Sequence, residues 1–174
     1  MYRVYTTKAL VCGAFDSMTA DKTVQLFTRD AGMLYAASKS VREERSKQRY
    51  GLTEFSILTV SLIRGKAGWR ITGVEPFMNV FTPLYTRQQR AFVRNLTRFL
   101  KRMVRGEEAS AELFDMFIEA MVRAPEYEDL ARAEQECMHR ACVLLGYLPH
   151  EDVAALTDEV LRLHIERALA ASHL

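Results

Sequence analysis

Residues 55–74 read Phe-Ser-Ile-Leu-Thr-Val-Ser-Leu-Ile-Arg-Gly-Lys-Ala-Gly-Trp-Arg-Ile-Thr-Gly-Val. Phe55, Ile57, Leu58, Val60 and Leu62 are broken by Ser56, Thr59 and Ser61, the alternation of a half-buried strand. Gly65-Lys66-Ala67-Gly68 supplies a four-residue hairpin connection, and residues 69–74 form the return strand. Toward the N-terminus, residues 3–11 are rich in Val, Tyr and Thr, and residues 23–28 make a second short run. Asp30-Ala31-Gly32 is a turn signal ahead of residues 33–38. Five short strands with β-branched enrichment and Gly-bearing turns predict a small closed or nearly closed barrel.

Toward the C-terminus, Pro76 and Pro83 bracket a change of pattern, and after Tyr85 the period becomes helical. Phe92, Leu96, Phe99, Leu100 and Met103 form one apolar stripe, while Arg87, Arg90, Arg94, Arg98, Lys101 and Arg105 repeat at the same spacing on another face. Leu113, Phe114, Phe117, Ile118 and Met121 mark a second helix ending near Pro125. Leu130 to Leu145 carries a third, with Gly146 as its stop signal and Pro149 beyond. Residues 150–172 are expected to form a fourth, with Val153, Leu156, Val160, Leu163 and Ile165 apolar. Four amphipathic helices with short loops predict a helical bundle. The expected organisation is α+β: a barrel over residues 1–80 and a helical bundle domain over residues 81–174.

The 174 residues are 49% hydrophobic and 26% charged, the composition of a soluble globular protein. No apolar run reaches the roughly 18 residues that a membrane span requires, and Met1-Tyr2-Arg3-Val4-Tyr5 does not open a signal peptide. Cys12, Cys137 and Cys142 are too few for a disulfide framework and suit a reducing compartment, so a cytoplasmic location is expected.

The net charge of +2 conceals a strong partition. Residues 1–105 hold 19 Lys and Arg against 7 Asp and Glu, whereas residues 106–174 hold 5 against 15. A basic front half suggests a polyanion-facing surface. The ordinary alternative is that the acidic helices neutralise it.

No catalytic pattern accompanies this charge. Gly-x-Ser-x-Gly, a Walker loop, Gly-x-Gly-x-x-Gly and His-Glu-x-x-His are all missing from the sequence. Glu136-x-x-His139 is half of a di-iron bundle signature and has no second copy, so a solvated Glu and a surface or packed His are expected. Cys137 and Cys142 lie about 140° apart on a helix and diverge, so with His139 between them they read as core residues rather than zinc ligands. No metal, no cofactor and no enzymatic activity are expected.

Three features point to nucleic acid. Eleven of the 17 aromatic residues lie at or before Tyr85, and Tyr2, Tyr5, Tyr35, Tyr50 and Trp69 are candidates to stack on bases. An aromatic ring on a strand more often faces the core, so one or two exposed rings are expected. Lys39, Arg42, Arg45, Lys47 and Arg49 concentrate in a polar connection, which is as readily a solubilising surface loop as a binding one. The arginine stripe of the first helix is the third feature, since like charges at i,i+4 repel unless an acidic partner offsets them.

With strands, loop and helices placed, the chain resembles the RecO family of bacterial recombination mediators, in a short form. Leu26-Phe27-Thr28-Arg29-Asp30-Ala31-Gly32-Met33-Leu34 is similar to the family's strand–turn–strand. Ser38-Lys39-Ser40-Val41-Arg42-Glu43 resembles its Ala-Lys-Gly-Ala-Arg-Arg, and Leu52-Thr53-Glu54-Phe55 its Leu-Gln-Pro-Phe. Ser110-Ala111-Glu112-Leu113-Phe114 resembles a motif that opens a bundle helix, and Leu144-Leu145-Gly146-Tyr147-Leu148-Pro149 its Leu-Leu-Gly-Tyr-x-Pro. The chain departs from the pattern at Ser40 and Glu43, and at Glu136-Cys137-Met138 where Arg-Phe-Glu is expected. It has no counterpart of the four-cysteine zinc site that some members carry.

The resemblance implies an N-terminal five-stranded OB-fold followed by an α-helical domain. It also implies binding of single- and double-stranded DNA, strand annealing and RecA loading in DNA repair, in the nucleoid. RecR and the single-stranded-DNA-binding protein are the implied partners, with no membrane. By position, Lys39 and Arg42 match family basic residues. The expected DNA contacts are Lys39, Arg42, Arg45, Lys47 and Arg49 of the loop, Arg64 and Lys66 of the hairpin, and Arg90, Arg94, Arg98 and Lys101 of the first helix. Two alternatives stand beside this reading: a non-catalytic protein-interaction adaptor, and an RNA-binding barrel.

Overall fold

A computed structural model describes residues 3–16, 22–38 and 51–172. The basic connection with Lys39, Arg42, Arg45, Lys47 and Arg49 therefore lies outside the described residues, as do Tyr2 and Tyr50. The chain forms two compact units. One holds the residues through Pro83 together with Val104–Phe114; the other holds Leu84–Met103 and the residues from Asp115 onward.

The first unit contains β1 (Val4–Asp16), β2 (Lys22–Thr28), β3 (Gly32–Ser38), β4 (Ser56–Gly65) and β5 (Gly68–Asn79). They close in the order β1-β2-β3-β5-β4, the expected five-stranded barrel with OB-fold topology. β1 runs five residues beyond the expected end because it serves two neighbours. Val4 to Leu10 pair with β4 and Ala9 to Asp16 with β2, and a register shift between Val11 and Gly13 bends the strand from one to the other. β5 continues through Pro76, which sits opposite Leu58 beside a register shift, where the missing N–H breaks no regular ladder. Inside the barrel, Val11, Val24, Leu26, Leu34, Leu58, Val60, Leu62 and Ile71 form a single buried cluster.

Two of the positive-φ positions, Gly32 and Phe55, lie where the barrel turns or begins a strand. Gly32, at φ +64°, turns the β2–β3 hairpin, and a Cβ there would lie 2.4 Å from the Glu108 carbonyl oxygen. The adjacent Met33 N–H donates to the Gly106 carbonyl at 3.0 Å, so residues 104–110 are tied to this hairpin. Phe55 holds φ +69° at the entrance to β4, a costly conformation for a side chain with a Cβ. Its amide donates to the Val11 carbonyl, its carbonyl accepts from Val80, and its ring stacks on Phe81 at 4.7 Å.

The helices are α1 (Arg87–Met103), α2 (Ala111–Val122), α3 (Leu130–Leu144) and α4 (Asp158–Ala171). α3 packs on both α1 and α4. α1 buries Phe92, Val93, Leu96, Phe99, Leu100 and Met103, the expected apolar stripe and its flanks. α3 stops at Gly146 (φ +78°), where Tyr147 N–H donates to the Cys142 carbonyl and Gly146 N–H to Val143, the paired bonds of a Schellman end.

The fourth helix begins eight residues later than the periodicity suggests. Thr157 caps it by accepting from the Val160 N–H, and Val153–Ala155 form a separate 3-10 turn. Arg132 of α3 explains the delay. Its guanidinium donates to the Val153 and Leu156 carbonyls and to Glu136 and Asp158, holding the intervening segment off the helical path. Among the described residues, no helix is long and apolar enough to cross a membrane.

Candidate nucleic-acid interface

The pairing of β4 with β5 sets Arg64 opposite Trp69 at the end of the hairpin. The Arg64 guanidinium lies over the indole, 5.3 Å from the ring centroid. Tyr5, from the start of β1, meets that indole edge-on at 5.4 Å and 85°, and Arg3 lies 5.4 Å above the Tyr5 ring. Two touching rings are therefore flanked by a guanidinium on either side along one edge of the barrel. Trp69 is half-buried against the barrel core, whereas Tyr5 is 44% exposed. Tyr35 on β3 is exposed as well, and Lys66 and Arg70 project into solvent on the same hairpin.

Among the described residues, one carboxylate answers this edge. Glu107 accepts from the Trp69 indole N–H at 2.9 Å through one oxygen and from Arg64 at 2.8 Å through the other. The Arg64 and Glu107 side chains are 61% and 38% exposed, so the ion pair is screened by water and contributes on the order of 0–1 kcal/mol. A phosphate diester offers the same pair of anionic oxygens. Glu107 is thus held at this edge by two donors through an ion pair that water screens.

The second basic surface lies on α1. Arg87, Arg90, Arg94, Arg98 and Lys101 are all exposed, opposite the buried apolar stripe. Arg90 donates through Nε to the Leu84 carbonyl. Burial raises the pKa of the Glu134 carboxyl, against a hydrogen bond from Asn95 and the positive charge of Arg98, which lower it. Among the described residues, Arg87 and Arg94 make no ion pair with a carboxylate. Several acids of the rear half are instead paired with its own arginines: Arg123 with Glu119 and Glu126, Arg132 with Glu136 and Asp158.

Of the residues singled out from sequence, the barrel brings Tyr5, Arg64 and Trp69 together, while Arg94 and its neighbours form a separate surface on α1. Arg3 and Glu107 were not singled out. Arg3 carries no pattern of its own, and Glu107 sits in an acidic run that reads as a neutraliser of the helix stripe. Cys137 and Cys142 are buried as expected, and burial pushes both thiols up to about 12.

Residues 1–79 match the family described as Recombination protein O N terminal. A DNA repair protein RecO from Dehalococcoides mccartyi is 34% identical over 83 residues, covering 46% of this chain and 33% of that protein. A DNA repair protein RecO from Desulfitobacterium hafniense is 32% identical over 84 residues, covering 47% of this chain and 31% of that protein. The matched stretch thus spans about a third of the length of these curated relatives.

Proposed function

Since its first 79 residues match the Recombination protein O N-terminal family, we propose that the chain is a non-catalytic DNA-binding protein of recombination and repair. Its barrel edge and basic helix face bind single- and double-stranded DNA and bring complementary strands together. The observation that carries this reading is the run of Arg3, Tyr5, Trp69 and Arg64 on one barrel edge, two rings between two guanidiniums. Cations there neutralise phosphates, and a ring can stack on a base for ~1–3 kcal/mol.

The mechanism is electrostatic. Two single strands repel through their phosphates, and a protein that neutralises both lowers the cost of their approach. The barrel edge serves one strand, and Arg87, Arg90, Arg94, Arg98 and Lys101 serve the other. Lys39, Arg42, Arg45, Lys47 and Arg49, with Lys66, supply further cations for phosphates. Loading of RecA, association with RecR and the single-stranded-DNA-binding protein, and a place in the nucleoid belong to the same proposal. They rest on kinship with the RecO relatives.

Annealing of two complementary oligonucleotides, one labelled with a fluorophore and the other with a quencher, tests this function. Quenching should accelerate with added protein and lose that acceleration in an Arg94→Glu, Arg98→Glu variant. Unchanged annealing in wild type and variant alike would remove the strand-bridging role. Competition between DNA and RNA oligonucleotides of matched sequence separates the DNA reading from an RNA-binding one.

A further inference from the structure

His139 is expected from sequence to be a packed or surface residue, and the structure packs it. It is fully buried on α3 and lies against His164 of α4, the rings 5.5 Å apart at 28°. His139 Nε2 is 3.2 Å from His164 Nδ1, and Glu151 Oε2 is 3.7 Å from that same nitrogen. One ligand atom from each of the three residues falls within 4.8 Å of the others. We propose that His139, His164 and Glu151 form a binding site for a divalent cation of the zinc class.

The spacing suits such an ion. Bonds of about 2.0–2.1 Å in a tetrahedral shell place neighbouring ligand atoms roughly 3.3–3.5 Å apart. The imidazole nitrogens, 3.2 Å apart, are close to that separation, and the carboxylate oxygen lies 3.7 Å from one of them. Two neutral imidazoles and one carboxylate are a recurrent zinc donor set that leaves the fourth position to water. The Glu151 and His164 side chains are 38% and 19% exposed, so an ion has a path in and water has a place to bind. Burial of His139 lowers its pKa, which keeps the ring in the neutral form that ligates.

The fold itself assembles the three groups. In one continuous helix, residues 151 and 164 would be about 20 Å apart along the axis. Arg132 holds the Val153 and Leu156 carbonyls, the chain turns before Thr157, and Glu151 comes back to face His164.

The test uses the full chain, stripped with a chelator and titrated with zinc by calorimetry and with cobalt(II) by visible absorption. The expected result is one equivalent of either metal, with the strong visible bands of a four-coordinate cobalt ion. Zinc should also raise the melting temperature. His164→Gln and Glu151→Gln should each weaken binding by at least about ten-fold, while His150→Gln leaves it unchanged. His164→Gln sits at a packed position, so circular dichroism accompanies it, and Glu151→Gln carries the test if that variant unfolds. Binding below one equivalent, or wild-type cobalt spectra in Glu151→Gln, would overturn the site and leave a hydrogen-bonded histidine pair.

Discussion

Glu107 places its two carboxylate oxygens on two donors, the Trp69 indole N–H and the Arg64 guanidinium. If phosphate binds at this edge, it must displace that carboxylate. Glu107→Gln keeps the size and removes the charge, so its affinity for a single-stranded oligonucleotide should rise about three- to ten-fold, read by fluorescence anisotropy at fixed salt. An unchanged or weaker affinity would mean that DNA does not use this edge. Trp69→Ala should weaken binding by ~1–3 kcal/mol, the usual worth of one stacked base. Arg64, Tyr5 and Trp69 were legible because hairpin alternation and aromatic content are local signals. Their partner Glu107 was not, because it reaches the edge from 38 residues beyond Trp69 in the chain. No local pattern carries such a contact.

Among the elements, the β2–β3 hairpin and the end of α3 make a matched comparison. Both turn on a glycine in the left-handed region, but Gly146 has nothing near its missing Cβ while Gly32 faces the Glu108 backbone at 2.4 Å. Gly146→Ala should therefore cost only the backbone strain, about 1 kcal/mol. Gly32→Ala adds a clash with main chain that cannot rotate away and should cost at least about 2 kcal/mol more. Urea denaturation of the two variants checks the order. Strand and helix periodicity made five strands and four helices readable in advance. It overran at α4 because Val153, Leu156 and Val160 keep a helical spacing. The bonds from Arg132 and the Thr157 cap, which override that spacing, come from residues whose placement depends on the packed α3–α4 pair.

For the whole molecule, the partition of charge matters more than its net value. The rear half pairs Arg123 and Arg132 with its own acids, while Arg87 and Arg94 on α1 are left without an ion pair among the described residues. Arg64 with Glu107 is a pair across the two halves, and composition alone could not tell which charges pair in that way, since the net charge is +2 in every case. The thiols follow from the same packing. Cys12, Cys137 and Cys142 are buried, and with Cys137 and Cys142 pushed up to about 12, the reactive thiolate is scarce at neutral pH. Native protein should leave all three unmodified by a thiol reagent over minutes, and denatured protein should release three equivalents.

The central claim is that positive charge on the barrel edge and α1 is available to sugar–phosphate chains. Titrating single-stranded DNA binding against salt tests it most directly. The account predicts a straight decline of log affinity with log salt, about 0.7 per phosphate contact, with a shallower slope in Lys39→Glu, Arg42→Glu and equal weakening across oligonucleotide sequences. A slope near zero in the wild-type protein would contradict it.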